Sequence, residues 1–117
     1  IDITPVPLFS ELVEYAKLPV SRGLLISRII AGGNADKAGL RGGSPSRMVR
    51  YENMMIQLGG DIIVEIDGMK VESVQDLLAA LENKKPGDRV SVTAYRNGDR
   101  RNFPVTLSER PESFQWN

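Results

Sequence analysis

A single α+β domain is the fold class this sequence predicts: a compact mix of about five short strands with two or three helices. Three observations carry that expectation. Val90, Val92 and Ala94 alternate with Ser91, Thr93 and Tyr95, and a second alternation at Phe103, Val105 and Leu107 follows an Asn97-Gly98 dipeptide, the pattern of a hairpin with a two-residue turn. Leu24-Leu25-Ile26-Ser27-Arg28-Ile29-Ile30 is a β-forming run with too few polar positions for a half-exposed strand, so it reads as mostly buried. Val74, Leu77, Leu78 and Leu81 recur at helical spacing behind Ser73, a suitable N-cap, while Gln75, Asp76 and Glu82 face water.

The other elements follow in chain order. Ile1, Ile3 and Val6 suggest a short strand that Pro5 and Pro7 confine to a sheet edge. Ser10 is expected to cap a short helix through Leu12, Val13 and Ala16, which Pro19 ends. Residues 31–34 close the buried run, and residues 35–40 have room for about one and a half helical turns. Between 41 and 58 the composition shifts to Gly, Ser, Pro, Arg, Met and Asn, which reads as a loop holding a small hairpin that turns at Glu52-Asn53. Residues 61–66 form a strand that ends at the turn dipeptide Asp67-Gly68, with brief pairing expected over 69–71. The tail 111–117 has no periodicity but carries Phe114 and Trp116.

Composition narrows the function. A chain of 117 residues that is 41% hydrophobic buries one modest core. Fifteen basic residues balance fifteen acidic ones, so no global field favours nucleic acid or an anionic membrane, and the pairs Lys84-Lys85 and Arg100-Arg101 read as solvated flanks of turns. The longest uncharged apolar runs fall far short of the ~20 residues that span a bilayer, so no membrane span is expected. The start at Ile1, without Met or a signal-like segment, suggests an excised or processed piece. With no histidine and no cysteine, the chain cannot build a Ser-His-Asp triad, a Cys-His pair or a histidine- or thiolate-ligated zinc site. No G-x-S-x-G elbow and no phosphate-loop pattern is present, and the glycines at 32, 33, 42, 43, 59 and 60 read as turns. Glu65 and Asp67 share a strand face, but Asp67 before Gly68 is a turn former rather than half of an acid–base pair. No catalytic residue, metal or cofactor is therefore expected.

Three spaced motifs, Gly23-Leu24-Leu25-Ile26, Ala35-Asp36-Lys37-Ala38-Gly39-Leu40 and Gly60-Asp61-Ile62-Ile63-Val64-Glu65-Ile66-Asp67-Gly68, together resemble the core pattern of a PDZ domain. Residues 71–78, Pro86-Gly87-Asp88-Arg89-Val90 and Arg96-Asn97-Gly98 continue the likeness. The opening helix at 11–17, followed by Leu18-Pro19-Val20 and Arg22-Gly23, is similar to the type carried by HtrA/Deg serine proteases. The resemblance covers residues 1–110, with 43–59 as an inserted loop and 111–117 as a tail or linker.

The resemblance implies a partly open five- to six-stranded β-sandwich or barrel with two or three helices in the HtrA-type strand order, a peptide-binding module with its catalytic domain N-terminal to Ile1, and a periplasmic or envelope location. Its mechanism would be β-augmentation, in which an incoming peptide adds as a strand to an exposed edge. Hydrophobic C-terminal or unfolded peptides are the implied partners, with room for a homo-oligomer. Ile1, Asp2, Ile3, Thr4 and Val6 would supply the carboxylate loop and the edge, and Val74, Leu78 and Leu81 the facing wall, with Leu77 turned into the core. Asp2 stands where the family's loop signature has glycine, and Arg22 is a candidate cation beside that loop. Two other readings are a structural interaction domain with a degenerate groove, which Asp2 and Pro5 favour, and a PDZ domain from another membrane-associated protease, which the opening helix disfavours.

Overall fold

The structure, a computed structural model, describes residues 3–107. In chain order the elements are β1 (Ile3–Pro7), α1 (Ser10–Ala16), β2 (Leu24–Ile29), α2 (Asn34–Lys37), β3 (Ser44–Tyr51), β4 (Met54–Leu58), β5 (Ile62–Ile66), β6 (Met69–Lys70), α3 (Val74–Leu81), β7 (Arg89–Arg96) and β8 (Asp99–Thr106). The main sheet runs β1-β2-β5-β7-β8, with β6 paired to β5, and β3 and β4 form a separate two-stranded sheet. Every pairing is antiparallel. The main sheet is open, with β1 and β8 at its edges, so of the sandwich and barrel alternatives no closed barrel forms.

Burial on both faces of β2 explains its continuous apolar run. Leu24 and Ile26 enter a large core with Ile63, Ile66, Val71, Leu77, Val90, Val92, Phe103 and Val105. Leu25 points the other way, into a second core with Val6, Leu12, Ile56, Leu58 and Ile62. The period-two geometry of a strand puts neighbours on opposite faces, so one sequence run serves both cores. Both two-residue turns take left-handed backbone at each centre, with φ of 51° and 82° at Asp67-Gly68 and 53° and 83° at Asn97-Gly98, as the tightest hairpins require.

The stretch read as an inserted loop is mostly the β3–β4 hairpin, and it turns at Glu52-Asn53 as expected. It is built into the second core: Ile56 and Leu58 are buried there, and Val49 and Tyr51 pack beside them. The Gln57 N–H donates to the buried Ser27 hydroxyl at 2.9 Å, and the Gly43 N–H donates to the Ser27 carbonyl at 2.9 Å. Gly43 and Gly60 are glycines for closeness rather than for turning, because a Cβ at either would run into the carbonyl of Gln57 or Ile26.

Three boundaries differ from expectation. Helix α1 is capped by Phe9 in extended backbone, and Ser10 is already helical, its hydroxyl bonded to Glu11. Stacking of Phe9 on Tyr51, with ring centroids 4.4 Å apart, fixes the entry to the helix one residue earlier. Helix α2 stops at Lys37, and Gly39 turns the chain at φ 100°. Asp61 lies ahead of β5, held out of the strand by a side-chain network. Ser73 caps α3 as expected, its hydroxyl accepting from the Asp76 N–H at 3.1 Å. Among the described residues no helix is long and apolar enough to cross a membrane.

Candidate functional site

Strand β1 pairs with β2 on one side only, and its outer edge has no partner among the described residues. The Leu8 N–H donates to the Gly23 carbonyl at 3.1 Å, which fixes the alternation: Leu8 and Val6 turn their backbone groups toward β2. Pro5 and Pro7 then fall on the outer side, where a missing N–H costs the sheet nothing. Along this stretch the free edge presents carbonyl acceptors without donors. Prolines so placed also discourage indiscriminate pairing with another edge.

Helix α3 begins beside the residues that follow β1. At its N-terminal end, Glu72, Ser73 and Asp76 share a cleft of about 580 Å³ with Leu8, Phe9, Ser10, Val13, Glu14, Ser21 and Arg22. At its other end, Leu81 and Ile3 pack against the same core cluster. Leu78 stands between these ends and is 60% exposed, although α3 buries Leu77 and Ala80 below it. The exposed leucine offers an apolar surface, and the unpaired strand edge offers hydrogen-bonding groups. Among the described residues no group of three His, Cys, Asp or Glu is placed to hold a metal.

One largely buried ionic network braces the main sheet. Asp61 is 1% exposed, and Arg96 grips it in a two-pronged contact, Nε to Oδ1 at 2.8 Å and Nη2 to Oδ2 at 2.7 Å. The Arg41 N–H donates to Asp61 Oδ2 at 2.9 Å, and Arg96 Nη2 also donates to the Gly39 carbonyl at 2.6 Å. The guanidinium lies 5.0 Å from the centroid of the Phe103 ring, and the Asp61 hydrogen bonds hold its pKa above the usual arginine value. This network ties the start of β5 to the end of β7 and to the loop after α2. At the other end of β5, the Ser91 N–H at 2.7 Å and the Lys84 ammonium at 3.0 Å hold the Asp67 carboxyl below the ordinary carboxylate range.

The expected site residues divide on inspection. Ile1 and Asp2 lie outside the described residues, as do Phe114 and Trp116. Ile3 and Thr4 stand on the free-edge strand, Ile3 half-buried and Thr4 exposed. Val6 lies on the same strand, but its side chain is committed to the second core, which leaves no side chain for the groove. Val74 and Leu81 are half-buried, Leu78 is exposed, and Leu77 is in the core as expected. Arg22 is at the wrong end for a loop at Ile1 to Ile3, because it sits beside the Pro7 end of β1 and pairs with Glu72 at 3.3 Å. Sequence reasoning missed the Asp61–Arg96 pair, since 35 residues separate the partners and neither belongs to a charge pattern.

Comparison with known proteins agrees with this architecture. The family model for the PDZ domain matches residues 11–107. A probable periplasmic serine endoprotease DegP-like of Chlamydia trachomatis is 32% identical over 111 residues, 95% of this chain and 19% of that protein. The chloroplastic protease Do-like 1 of Arabidopsis thaliana is 32% identical over 90 residues, 77% of this chain and 19% of that protein. The chain thus spans about one fifth of the length of these curated relatives. Among solved structures, the HtrA3 PDZ domain bound to a phage-derived ligand (FGRWV) superposes with a TM-score of 0.66 at 20% identity, covering 91% of this chain and 81% of that one. The HtrA-type protease AlgW with a decapeptide superposes with a TM-score of 0.70 at 22% identity, covering 94% of this chain and 29% of that one. The chain belongs to the PDZ domain family, in the form carried by HtrA/Deg-type serine proteases.

Proposed function

We propose that this PDZ domain captures hydrophobic C-terminal peptides as the recognition module of an HtrA/Deg-like serine protease. The observation that carries the reading is the unpaired outer edge of β1, with an exposed leucine, Leu78, on the helix that begins beside the end of that strand. A peptide adds antiparallel to β1 and donates its own N–H groups to the outward carbonyls of Pro5 and Pro7. Its apolar last side chain lies against Leu78 and Leu81, and its carboxylate is held by successive backbone N–H groups at Ile1-Asp2-Ile3. The phage-derived ligand of the HtrA3 domain ends in Trp-Val, an apolar terminus of this kind. The names of the relatives support a catalytic domain in the parent protein and a periplasmic location.

The test is a binding screen of C-terminal peptides with amidated copies of each hit. Binding of free hydrophobic termini that is lost on amidation is the expected result, and N-methylation of the residues facing Pro5 and Pro7 should abolish it too. A second reading, an assembly module, is favoured by Tyr15, Met54 and Met55, which are 69%, 44% and 49% exposed around α1 and the hairpin. Binding indifferent to amidation, with self-association lost on mutation of these three residues, is its expected result.

A further inference from the structure

The cleft at the Pro7 end of β1 combines two kinds of surface. Its floor is apolar, made by Leu8, Phe9 and Val13, and its rim carries the carboxylates Glu14, Glu72 and Asp76 against the single guanidinium of Arg22. Arg22 is already engaged with Glu72 at 3.3 Å, and Asp76 accepts the Glu72 N–H at 3.0 Å within the helix cap. Glu14 is exposed and has no ion pair among the described residues. The cleft continues the groove directly, since Leu8, Phe9 and Ser10 follow the last residue of β1.

We propose that this cleft selects an arginine or lysine upstream of the captured terminus, a specificity that rests on the peptide-capture reading above. An antiparallel peptide with its carboxylate at the Ile3 end passes the five residues of β1 before reaching the cleft. The selected position is therefore the fifth or sixth residue counted back from the carboxyl terminus, at about 3.3 Å per residue of strand. A long basic side chain fits both surfaces: its methylene stem covers the apolar floor, and its cationic head meets the carboxylate rim. An acidic side chain there faces net negative charge, and a short apolar one leaves the rim unused.

The experiment measures binding of the 117-residue chain to peptides that share one hydrophobic free carboxyl terminus and differ only at the fifth and sixth residues from the end, as Arg, Ala or Glu. The Arg peptide should bind roughly fivefold more tightly than the Glu peptide at low salt, with Ala between, and the spread should narrow as ionic strength rises. The paired substitution Glu14→Gln and Glu72→Gln should erase the spread while leaving the Ala peptide's affinity unchanged, which also shows that the variant is folded. Equal affinity for all three peptides overturns this proposal alone and leaves C-terminal capture standing. Failure of every peptide to bind overturns both.

Discussion

Asp61 shows how much the fold asks of single side chains. A buried carboxylate is tolerated because Arg96 meets both oxygens and the Arg41 N–H supplies a third donor. Arg96→Ala strands that carboxylate, and a buried ionic partner left alone costs about 3–5 kcal/mol. Urea unfolding should show a loss of that size; a change below about 0.5 kcal/mol would mean that the network is incidental. Asp67 gives a prediction with a pH signature. Its folded pKa lies below the unfolded value of about 3.9, so its contribution is present above that pH and is lost as pH falls through the folded pKa. Asp67→Asn keeps a side chain suited to the left-handed backbone but removes the ion pair with Lys84. Its stability deficit against the parent should therefore be constant near neutral pH and shrink in acid; a pH-independent deficit would contradict the assignment. At this scale the sequence is legible where partners are local, as in the Ser73 cap three residues from Asp76. It is silent where they are distant, as for Asp61 and Arg96, or where tertiary stacking moves a boundary, as Phe9 on Tyr51 does for α1.

The elements divide into those that carry their own pattern and those that borrow it. Strand β2, helix α3 and the β7–β8 hairpin are readable because periodicity, a cap residue and an Asn-Gly turn each report a local requirement. The β3–β4 hairpin is harder to read, since Met, Arg and Ser alternate weakly and only Ile56 and Leu58 mark its inward face. Its packing makes it part of the fold. Ile56→Ala should cost about 2–5 kcal/mol in chemical denaturation, whereas Met55→Ala on the exposed side should stay within about 0.5 kcal/mol. Deleting residues 44–57 should abolish cooperative unfolding, and a cooperative transition after that deletion would show the hairpin to be an appendage. Helix α3 gives the opposite prediction, because Leu78 faces solvent while Leu77 and Ala80 hold the helix down. Leu78→Glu should leave stability within about 0.5 kcal/mol and remove peptide binding; unchanged affinity would take this helix out of the groove.

For the whole molecule, an open six-stranded sheet necessarily has edges, here β1 and β8. The β1 edge carries outward prolines that accept hydrogen bonds without donating them, so it admits a partner rich in N–H donors while resisting self-pairing. The zero net charge of the chain leaves recognition to local features of this kind. Fold class and family were legible because several motifs in fixed order report the same sheet and turns. The groove was legible only in part. Helical spacing names Val74, Leu78 and Leu81 but does not say which of them the core claims, and strand alternation did not reveal that Val6 turns inward. Arg22 was misplaced because the sequence gives no measure of which end of β1 it approaches. The most direct test of peptide capture at the β1 edge is amide chemical-shift mapping of the isotope-labelled chain during titration with a free-carboxyl hydrophobic peptide. Perturbations concentrated in residues 3–8 and 74–81, with intermolecular contacts between the peptide backbone and Pro5 and Pro7, are the predicted result. Perturbations confined to the hairpin at residues 44–58, with residues 3–8 unmoved, would contradict it.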